Sequence, residues 1–408
     1  MNERRQFRQF AHEAGATILV INSGSSSVKF ALFTAQELSR LWSGAIDRIG
    51  LQNSYFHATD ANGAQIIDDV MDIDNHQAAL SQLLDTIEQR RSAARLAAVG
   101  HRIVHGGPEF ESPVIVTDEV EVRLRMLIPL APLHQPHNVA GIAAVRSARP
   151  DLPQVACFDT AFHRSIPSLA TLTALPRKFY KEGMRRYGFH GLSYEYIVDR
   201  LRRDANDIES ERIIIAHLGN GASMCALKEG RSVETTMGFS TLAGLPMGTR
   251  CGDLDPGIVL YLLTEKAMSV QRIQHLLYEE SGLLGLSAIS PSMQDLLAQL
   301  SEPTAFQAVE YYCYQARRHL GALTAGLGGL DRLVFTGGIG ANAPVIREKI
   351  CRGLGYLGIH IDTERNSDGD RVISAAASAV TVEAFQTDEE LMIARHVQHV
   401  LWSQSIGT

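Results

Sequence analysis

Cationic and hydrogen-bond-donating side chains recur beside glycine-rich turns along this 408-residue chain, a pairing suited to phosphate chemistry. The first is the turn in Ile18–Phe33, where Asn22, Ser23, Ser25, Ser26 and Ser27 crowd around Gly24 and Lys29 follows. Backbone N–H groups, hydroxyls and one ammonium facing one way suit a polyphosphate; the alternative is an ordinary Ser/Gly hairpin turn. Arg102 lies in an apolar run, followed by Ile103 and Val104 and flanked by His101 and His105, before Gly106-Gly107. A guanidinium there wants an anionic partner, unless it is a surface charge. Asp159 ends the apolar run Val155–Phe158, where a carboxylate faces the crevice of an open α/β sheet or caps a helix or turn. His190 sits in Arg185-Arg186-Tyr187-Gly188-Phe189-His190-Gly191, too polar a run for a core element; a structurally hydrogen-bonded histidine is the rival. Arg250 sits among small residues in a loop, Thr235–Pro256, that carries four glycines and two prolines.

Two further groups invite a metal. His134 and His137 have H-x-x-H spacing, but no third ligand matches and Pro136 argues against a helix, so hydrogen-bonding histidines in a rigid loop are expected. Thr387 and Glu390 fit a capping box, which leaves Glu389 free for a cation. Asp255-Pro256 reads as an N-cap and first helical residue.

The elements that position these groups follow from hydrophobic period. Ile18–Ile21 and Val28–Phe33 read as strands around a wide polar turn, Asn22 to Ser26. The device recurs as Ile213–His217, an Asn/Gly/Ser turn with Leu218, Gly219, Asn220, Gly221 and Ser223, and a returning strand to Leu227. A third strand, Leu333–Thr336, runs into a polar turn from Gly337, with Pro344 opening a helix whose free N–H groups favour anions. None is a Walker A loop or G-x-G-x-x-G. Two repeated hairpins predict a duplicated α/β core closing on a nucleotide. Leu80, Leu83, Leu84 and Ile87 predict one helix, Val270, Ile273, Leu276 and Leu277 a second, and Phe306, Val309, Cys313, Ala316, Leu320 and Leu323 a longer third.

Composition bounds the rest. Length and 45% hydrophobic content suit two domains with their own cores. A net charge of −7 argues against nucleic acid or an anionic membrane as partner, and no apolar run approaches the roughly 18 residues of a span. Five cysteines without C-x-x-C predict free thiols in the reducing cytoplasm. Residues 1–15 lack an apolar h-region and read as a flexible tail, not a signal peptide.

Taken in order, the blocks resemble the acetate and propionate kinase family. They are Ile21-Asn22-Ser-Gly-Ser25-Ser-Ser27-Val-Lys29, His101-Arg102 to Gly107, Phe158-Asp159-Thr160-Ala-Phe-His163, Arg186-Tyr-Gly-Phe189-His190-Gly191, His217-Leu-Gly-Asn220-Gly221 and Met247-Gly-Thr-Arg250. The likeness runs from about Thr17 to His396. It implies duplicated actin-like, ribonuclease H-like α/β domains with a central cleft. Residues 16–158 with 388–408 would form an acyl-substrate and phosphate domain, and 159–387 a nucleotide-binding domain. It implies ATP/ADP with Mg²⁺ (or Mn²⁺), a short-chain carboxylate, an acyl phosphate product and a homodimer.

The resemblance also implies roles. Asn22 and Glu389 hold the metal, and Lys29, with Ser25 and Ser27, contacts nucleotide phosphate. Arg102 and Arg250 bind acceptor and phosphoryl group, His190 stabilises the transition state and Asp159 is the active-site carboxylate. Val104, Leu133, His134, Phe189 and Thr241 form the acyl pocket. His217, Leu218, Gly219, Asn220 and Gly221 line the nucleotide. So do Ser292, Met293 and Gln294, and Gly337, Gly338, Ile339, Gly340, Ala341 and Asn342. The chain departs from the family at Thr241, where Pro is usual, Tyr194 (His), Gln135 (Asn), Ser292-Met-Gln294 (Asp-x-Arg) and Ala341 (Glu).

A carboxylate acceptor is already ionised at pH 7 and needs no general base. It needs relief from a polyanionic phosphate, and each opposite charge about 4 Å away offers roughly 4 kcal/mol at an effective dielectric of ~20. Acetate is the expected acceptor and propionate the second. A sugar or polyol kinase, with Asp159 as base, is disfavoured by two arginines at the acceptor. A non-catalytic ATP-binding protein would be expected to lack Arg250 or His190.

Overall fold

Thr17–Ser23 (β1) and Ser27–Thr34 (β2) pair antiparallel, with Asn22 opposite Lys29. The Gly24 N–H donates to the Ser27 carbonyl at 2.8 Å, so the turn is only Ser25-Ser26, narrower than the sequence predicts. Asn22 and Ser23 belong to the strand: their side chains are polar, but the ladder to Val28 and Lys29 continues through them. The computed structural model describes residues 15–90, 95–204 and 207–402; apart from Gly15, the expected tail lies outside them. The described residues within Met1–Ala161 and Asp388–Thr408 form one compact unit, and those within Phe162–Thr387 another.

In the first unit the sheet continues with Arg40–Asp47 (β3), Ser54–Asp60 (β4), Gln65–Met71 (β5), Leu96–Ile103 (β6), Val114–Ile115 (β7) and Gln154–Phe158 (β8). The order is β5-β4-β3-β2-β1-β6-β8-β7, with β1, β6 and β8 mutually parallel. Helices His76–Arg90 (α1), Asp118–Met126 (α2) and Gln135–Ala148 (α3) pack on it. The predicted stripe Leu80, Leu83, Leu84 and Ile87 is buried on α1 against Leu19, Ile21, Val28 and Phe30. Each such side chain contributes roughly 1.5–3 kcal/mol. A second cluster joins Leu124, Val139 and Ile142 to Ile103, Ala156 and Phe158. The C-terminal helix, Glu389–Trp402, lies against Gly100, where a Cβ would come 2.5 Å from Ile393 and 2.7 Å from Val397.

The second unit carries Arg212–Leu218 (β9), Ala222–Lys228 (β10), Arg231–Thr235 (β11), Arg332–Thr336 (β12) and Thr381–Ala384 (β13), ordered β11-β10-β9-β12-β13. Three antiparallel strands are followed by two parallel ones, the same plan as β3-β2-β1-β6-β8. The fold is thus a duplicated mixed α/β core. Its helices include Gly191–Arg203 (α4), Pro256–Thr264 (α5), Val270–Glu279 (α6), Gly282–Ser287 (α7), Met293–Leu297 (α8), Pro303–Leu327 (α9), Gly337–Asn342 (α10) and Pro344–Cys351 (α11). Tyr194, Ile197, Val198 and Leu201 of α4 pack on Ile213, Ile215 and Cys225.

Four local expectations are corrected. Pro136 lies in the first turn of α3, where a missing N–H costs nothing, so the His134 segment enters a helix. The polar turn after Thr336 is helical from Gly337 to Asn342. Asp388, rather than Thr387, caps the last helix, accepting from the Leu391 N–H at 2.9 Å, while the Thr387 hydroxyl donates to the Ser193 carbonyl. Finally, Val270 and Phe306, periodic in sequence, are exposed at 65% and 49%. The expected cap at Asp255 forms: its Oδ1 accepts from the Gly257 N–H at 2.8 Å.

Candidate active site

In the first unit the sheet's parallel strands bring Arg102 and Asp159 together, each near the C-terminal end of its strand. Arg102 Nε and Nη2 donate to Asp159 Oδ1 and Oδ2 at 3.0 and 2.7 Å. Arg102 Nη1 lies 3.3 Å from Glu389 Oε2, at the start of the C-terminal helix. Asp159 is buried and Arg102 half-buried. Burial opposes the guanidinium charge, but Asp159 and then Glu389 outweigh it and raise its pKa. Burial, partly offset by Arg102 and reinforced by Asp159, pushes Glu389 up to about 7. Lys29 also acts on Glu389 through its charge, which places the first hairpin beside this group; Asn22 is its cross-strand partner.

Asn138 links the hairpin to the turn after β6, a role the sequence reading did not assign. Its Oδ1 accepts from the Val104 N–H at 3.0 Å and its Nδ2 donates to the Ser23 carbonyl at 3.1 Å. Gln135 Nε2 donates to the His105 carbonyl at 3.1 Å, and Thr160 Oγ1 accepts from the Gly106 N–H at 3.0 Å. Val104 is buried, Leu133 half-buried, and His134 precedes α3. His137 stacks on His76, whose Nε2 donates to the Gly24 carbonyl at 2.7 Å. Among the described residues no group of three His, Cys, Asp or Glu side chains is placed to hold a metal.

In the second unit His190 adopts a left-handed conformation (φ 59°) just before α4. Its Nδ1 shares a 2.8 Å hydrogen bond with Ser223 Oγ, which also bonds the Tyr194 hydroxyl. The His190 ring stacks on His217 at 4.3 Å, and His217 Nδ1 bonds Ser193 Oγ at 2.8 Å. A Cβ on Gly221 would lie 3.2 Å from His190 Nε2 and 4.0 Å from Arg250 Nη1, so imidazole and guanidinium converge on the bare face of that glycine. Arg250 Nη1 donates to the Thr241 carbonyl at 3.3 Å; Thr241 and Phe189 are buried. Gly282 (φ +63°) lies against the Arg250 turn: a Cβ there would be 2.1 Å from the Met247 carbonyl and 2.7 Å from that of Arg250. Only a positive-φ glycine suits that approach, and a lone glycine in an apolar run gives no such signal.

Leu218, Gly219 and Gly337-Gly338 also meet. A Cβ on Gly337 would be 2.7 Å from the Leu218 carbonyl, and one on Gly219 3.9 Å from the Gly338 nitrogen. Buried Arg347 fastens this edge, donating through Nη1 to the carbonyls of Gly340 and Ala341 at 3.0 and 2.8 Å. Asn342 Nδ2 donates to the Gly338 carbonyl. Ile339 stands between these glycines on α10. Ser292 caps α8 and is half-buried, Met293 is buried, and Gln294 is the most exposed of the three.

A doubled actin-like sheet carrying cations and donors at its hairpins defines the class as a phosphotransferase fold. The chain belongs to the acetokinase family, whose match spans residues 17–395. It is 49% identical over 396 residues to the acetate kinase of Methylocella silvestris, covering 94% of this chain and 98% of that one. The crystal structure of Porphyromonas gingivalis acetate kinase is 37% identical with a TM-score of 0.85, covering 95% and 100%. That of a propionate kinase from Francisella tularensis is 35% identical with a TM-score of 0.89, covering 93% and 98%.

Proposed function

We propose that the chain transfers the γ-phosphoryl group of ATP reversibly and directly to acetate, giving acetyl phosphate and ADP. The observation that carries this reading is the convergence of His190 Nε2 and Arg250 Nη1 on the open face of Gly221. Two fixed donors there suit the equatorial oxygens of a phosphoryl group in flight. Arg102, backed by Asp159, supplies positive charge for an anionic acceptor. With both Asp159 oxygens engaged by Arg102, the carboxylate orients the guanidinium and takes no proton from substrate. The acceptor oxygen is already anionic and attacks phosphorus as the bond to the ADP oxygen breaks. Holding both reactants in line accounts for roughly 7–11 kcal/mol of the barrier.

The first unit is assigned the acyl group, with Val104, Leu133 and His134, and the second the nucleotide, along Leu218–Gly221 and Gly337–Asn342. The donor set fits a hard cation: Glu389 is a half-buried carboxylate whose raised pKa a divalent ion would reverse, and Asn22 offers a carbonyl oxygen. Mg²⁺ takes one or two carboxylates and keeps waters and phosphate oxygens, so a three-residue cage is not required. When bound it neutralises phosphate charge.

The proposal includes a homodimer and a cytoplasmic setting. Helix α5, Pro-Gly-Ile-Val-Leu-Tyr-Leu-Leu-Thr, buries none of its residues, and Leu260 and Tyr261 are 62% and 52% exposed. A second copy would cover this apolar face, and Leu260→Asp should then yield monomers in sedimentation velocity. The five thiols are free, and no described helix is long and apolar enough to cross a membrane.

Hydroxylamine trapping with ATP and Mg²⁺ tests the reaction. Acetyl hydroxamate should form fastest, with propionate slower and glycerol giving none. Absence of hydroxamate from every acid would end this reading.

A further inference from the structure

The second unit holds another cationic cavity, lined by none of the residues assigned above. It has a volume of 160 Å³ and is lined by Arg164, Arg185 and Arg186 with Thr171, Tyr180 and Tyr187. Among the described residues no Asp or Glu lines it. This is unusual in a chain of net charge −7. The run Arg177-Lys-Phe-Tyr-Lys-Glu-Gly-Met-Arg-Arg186 carries five basic residues to one acid.

The cations are held in place. Arg186 Nη1 donates to the Thr235 and Met237 carbonyls at 2.6 and 3.3 Å, and its Nε to Ala170 at 3.2 Å. The Arg185 guanidinium lies 5.4 Å from the Tyr187 ring centre. The Tyr180 phenol is held below its ordinary value, first by its hydrogen bond with Thr171 and then, against burial, by Arg185. His163, in the same wall, is kept neutral by burial, which pushes it down to about 4. Its Nε2–H donates to the Phe189 carbonyl at 2.9 Å, so the cavity's charge comes from guanidinium groups alone. Adjoining it, a recess of 290 Å³ shares Ser168 and Tyr180 and adds Leu169, Leu172, Arg177 and Lys181.

We propose that this cavity is a second anion site that takes a phosphate-class dianion. The occupant is free phosphate or the phosphoryl end of a small organic phosphate whose apolar part enters the adjoining recess. Planar guanidinium forks match phosphate oxygens in pairs, and the exposed Ser168 hydroxyl adds a donor at the rim. The site stands apart from the phosphotransfer reading and does not require it.

The test is equilibrium dialysis of radiolabelled inorganic phosphate against the full chain, the Arg185→Gln variant and the Ser168→Asp variant. Ser168 is exposed, so its substitution places a carboxylate at the rim without disturbing the core. The wild type should bind one more phosphate per chain than either variant, and the variants' hydroxamate activity should stay within about twofold, a match to a small surface effect. Displacement by phenyl phosphate at lower concentration than by phosphate assigns an organic phosphate; equal or weaker displacement assigns the free ion. Equal stoichiometry in wild type and Ser168→Asp overturns the proposal, whether or not Arg185→Gln folds.

Discussion

Arg102 and Asp159 meet in a two-point ion pair, 3.0 and 2.7 Å, formed just where two neighbouring parallel strands end. The Asp159 N–H is itself held by the Ile103 carbonyl at 3.0 Å, so backbone and side chain fix the same geometry. Asp159→Asn would keep the shape and remove one acceptor and one charge. Its amide would set N–H groups against the guanidinium, and Glu389 would lose a neighbour that raises its pKa. We expect kcat/KM for acetate to fall at least 100-fold, about 2.7 kcal/mol. The shape of the pH profile should survive, because Asp159 carries no proton in the reaction. A pH series of kcat/KM checks this; loss of one limb would make Asp159 a base and favour an alcohol acceptor.

Gly221 tests the convergence of His190 and Arg250 directly. Its φ is not among the positive ones, so an alanine is tolerated by the backbone. The added methyl would stand 3.2 Å from His190 Nε2 and 4.0 Å from Arg250 Nη1, filling the face where a phosphoryl group must lie. Gly221→Ala should lower kcat by at least 100-fold, about 2.7 kcal/mol, with Tm within about 2 °C of wild type, less than a 1 kcal/mol change would give. Near-normal turnover would show that phosphorus passes elsewhere.

Arg347 is a buried cation whose hydrogen-bond partners are the carbonyls of Gly340, Ala341 and Asn366 and the Asn366 side chain. Burial holds its pKa below the ordinary arginine value. It fastens the C-terminal half of α10, the segment assigned to the nucleotide. Arg347→Met keeps the volume and removes those donors, leaving carbonyls unsatisfied at about 1–3 kcal/mol. Steady-state kinetics should show KM for ATP raised about tenfold with KM for acetate unchanged. A parallel rise in both would mean that the residue supports the whole unit and not the nucleotide edge.

Sequence period made the core legible, because buried strands and the α1 stripe follow the geometry of a ladder and a helix. The hairpin duplication was legible for the same reason. Arg102, Asp159 and Glu389 were legible singly, as charges in apolar or capped settings, but the pairing of the first two depends on β6 and β8 lying side by side across 57 residues. Asn138 and Gly282 left no signal, since an amide and a glycine are common on helices and strands. Pro136 was misread because proline breaks a helix interior yet fits its first turn. Thr387 was misread because Asp388, one residue later, is an equally good cap and also pairs with Arg40, at 2.6 Å.

His101 makes a prediction about acid stability in the first unit. It is buried on β6, and its Nε2 donates to the Gln154 amide oxygen at 2.8 Å. Burial pushes its pKa down to about 4, only partly offset by Gln154. In the unfolded chain it titrates at its ordinary 6.5. Between those values the unfolded state binds more protons, so stability rises with pH there. The contribution is fully present above 6.5, shrinks as pH falls, and is gone below about 4. The size is at most about 3.4 kcal/mol, at 1.36 kcal/mol per pH unit. The chain's two tryptophans, Trp42 and Trp402, both belong to this unit, so their fluorescence reports its unfolding. In urea titrations at pH 7 and pH 4.5, the wild type should lose more stability than His101→Gln, which cannot take up the proton. Equal losses in the two proteins would assign the acid sensitivity to other groups.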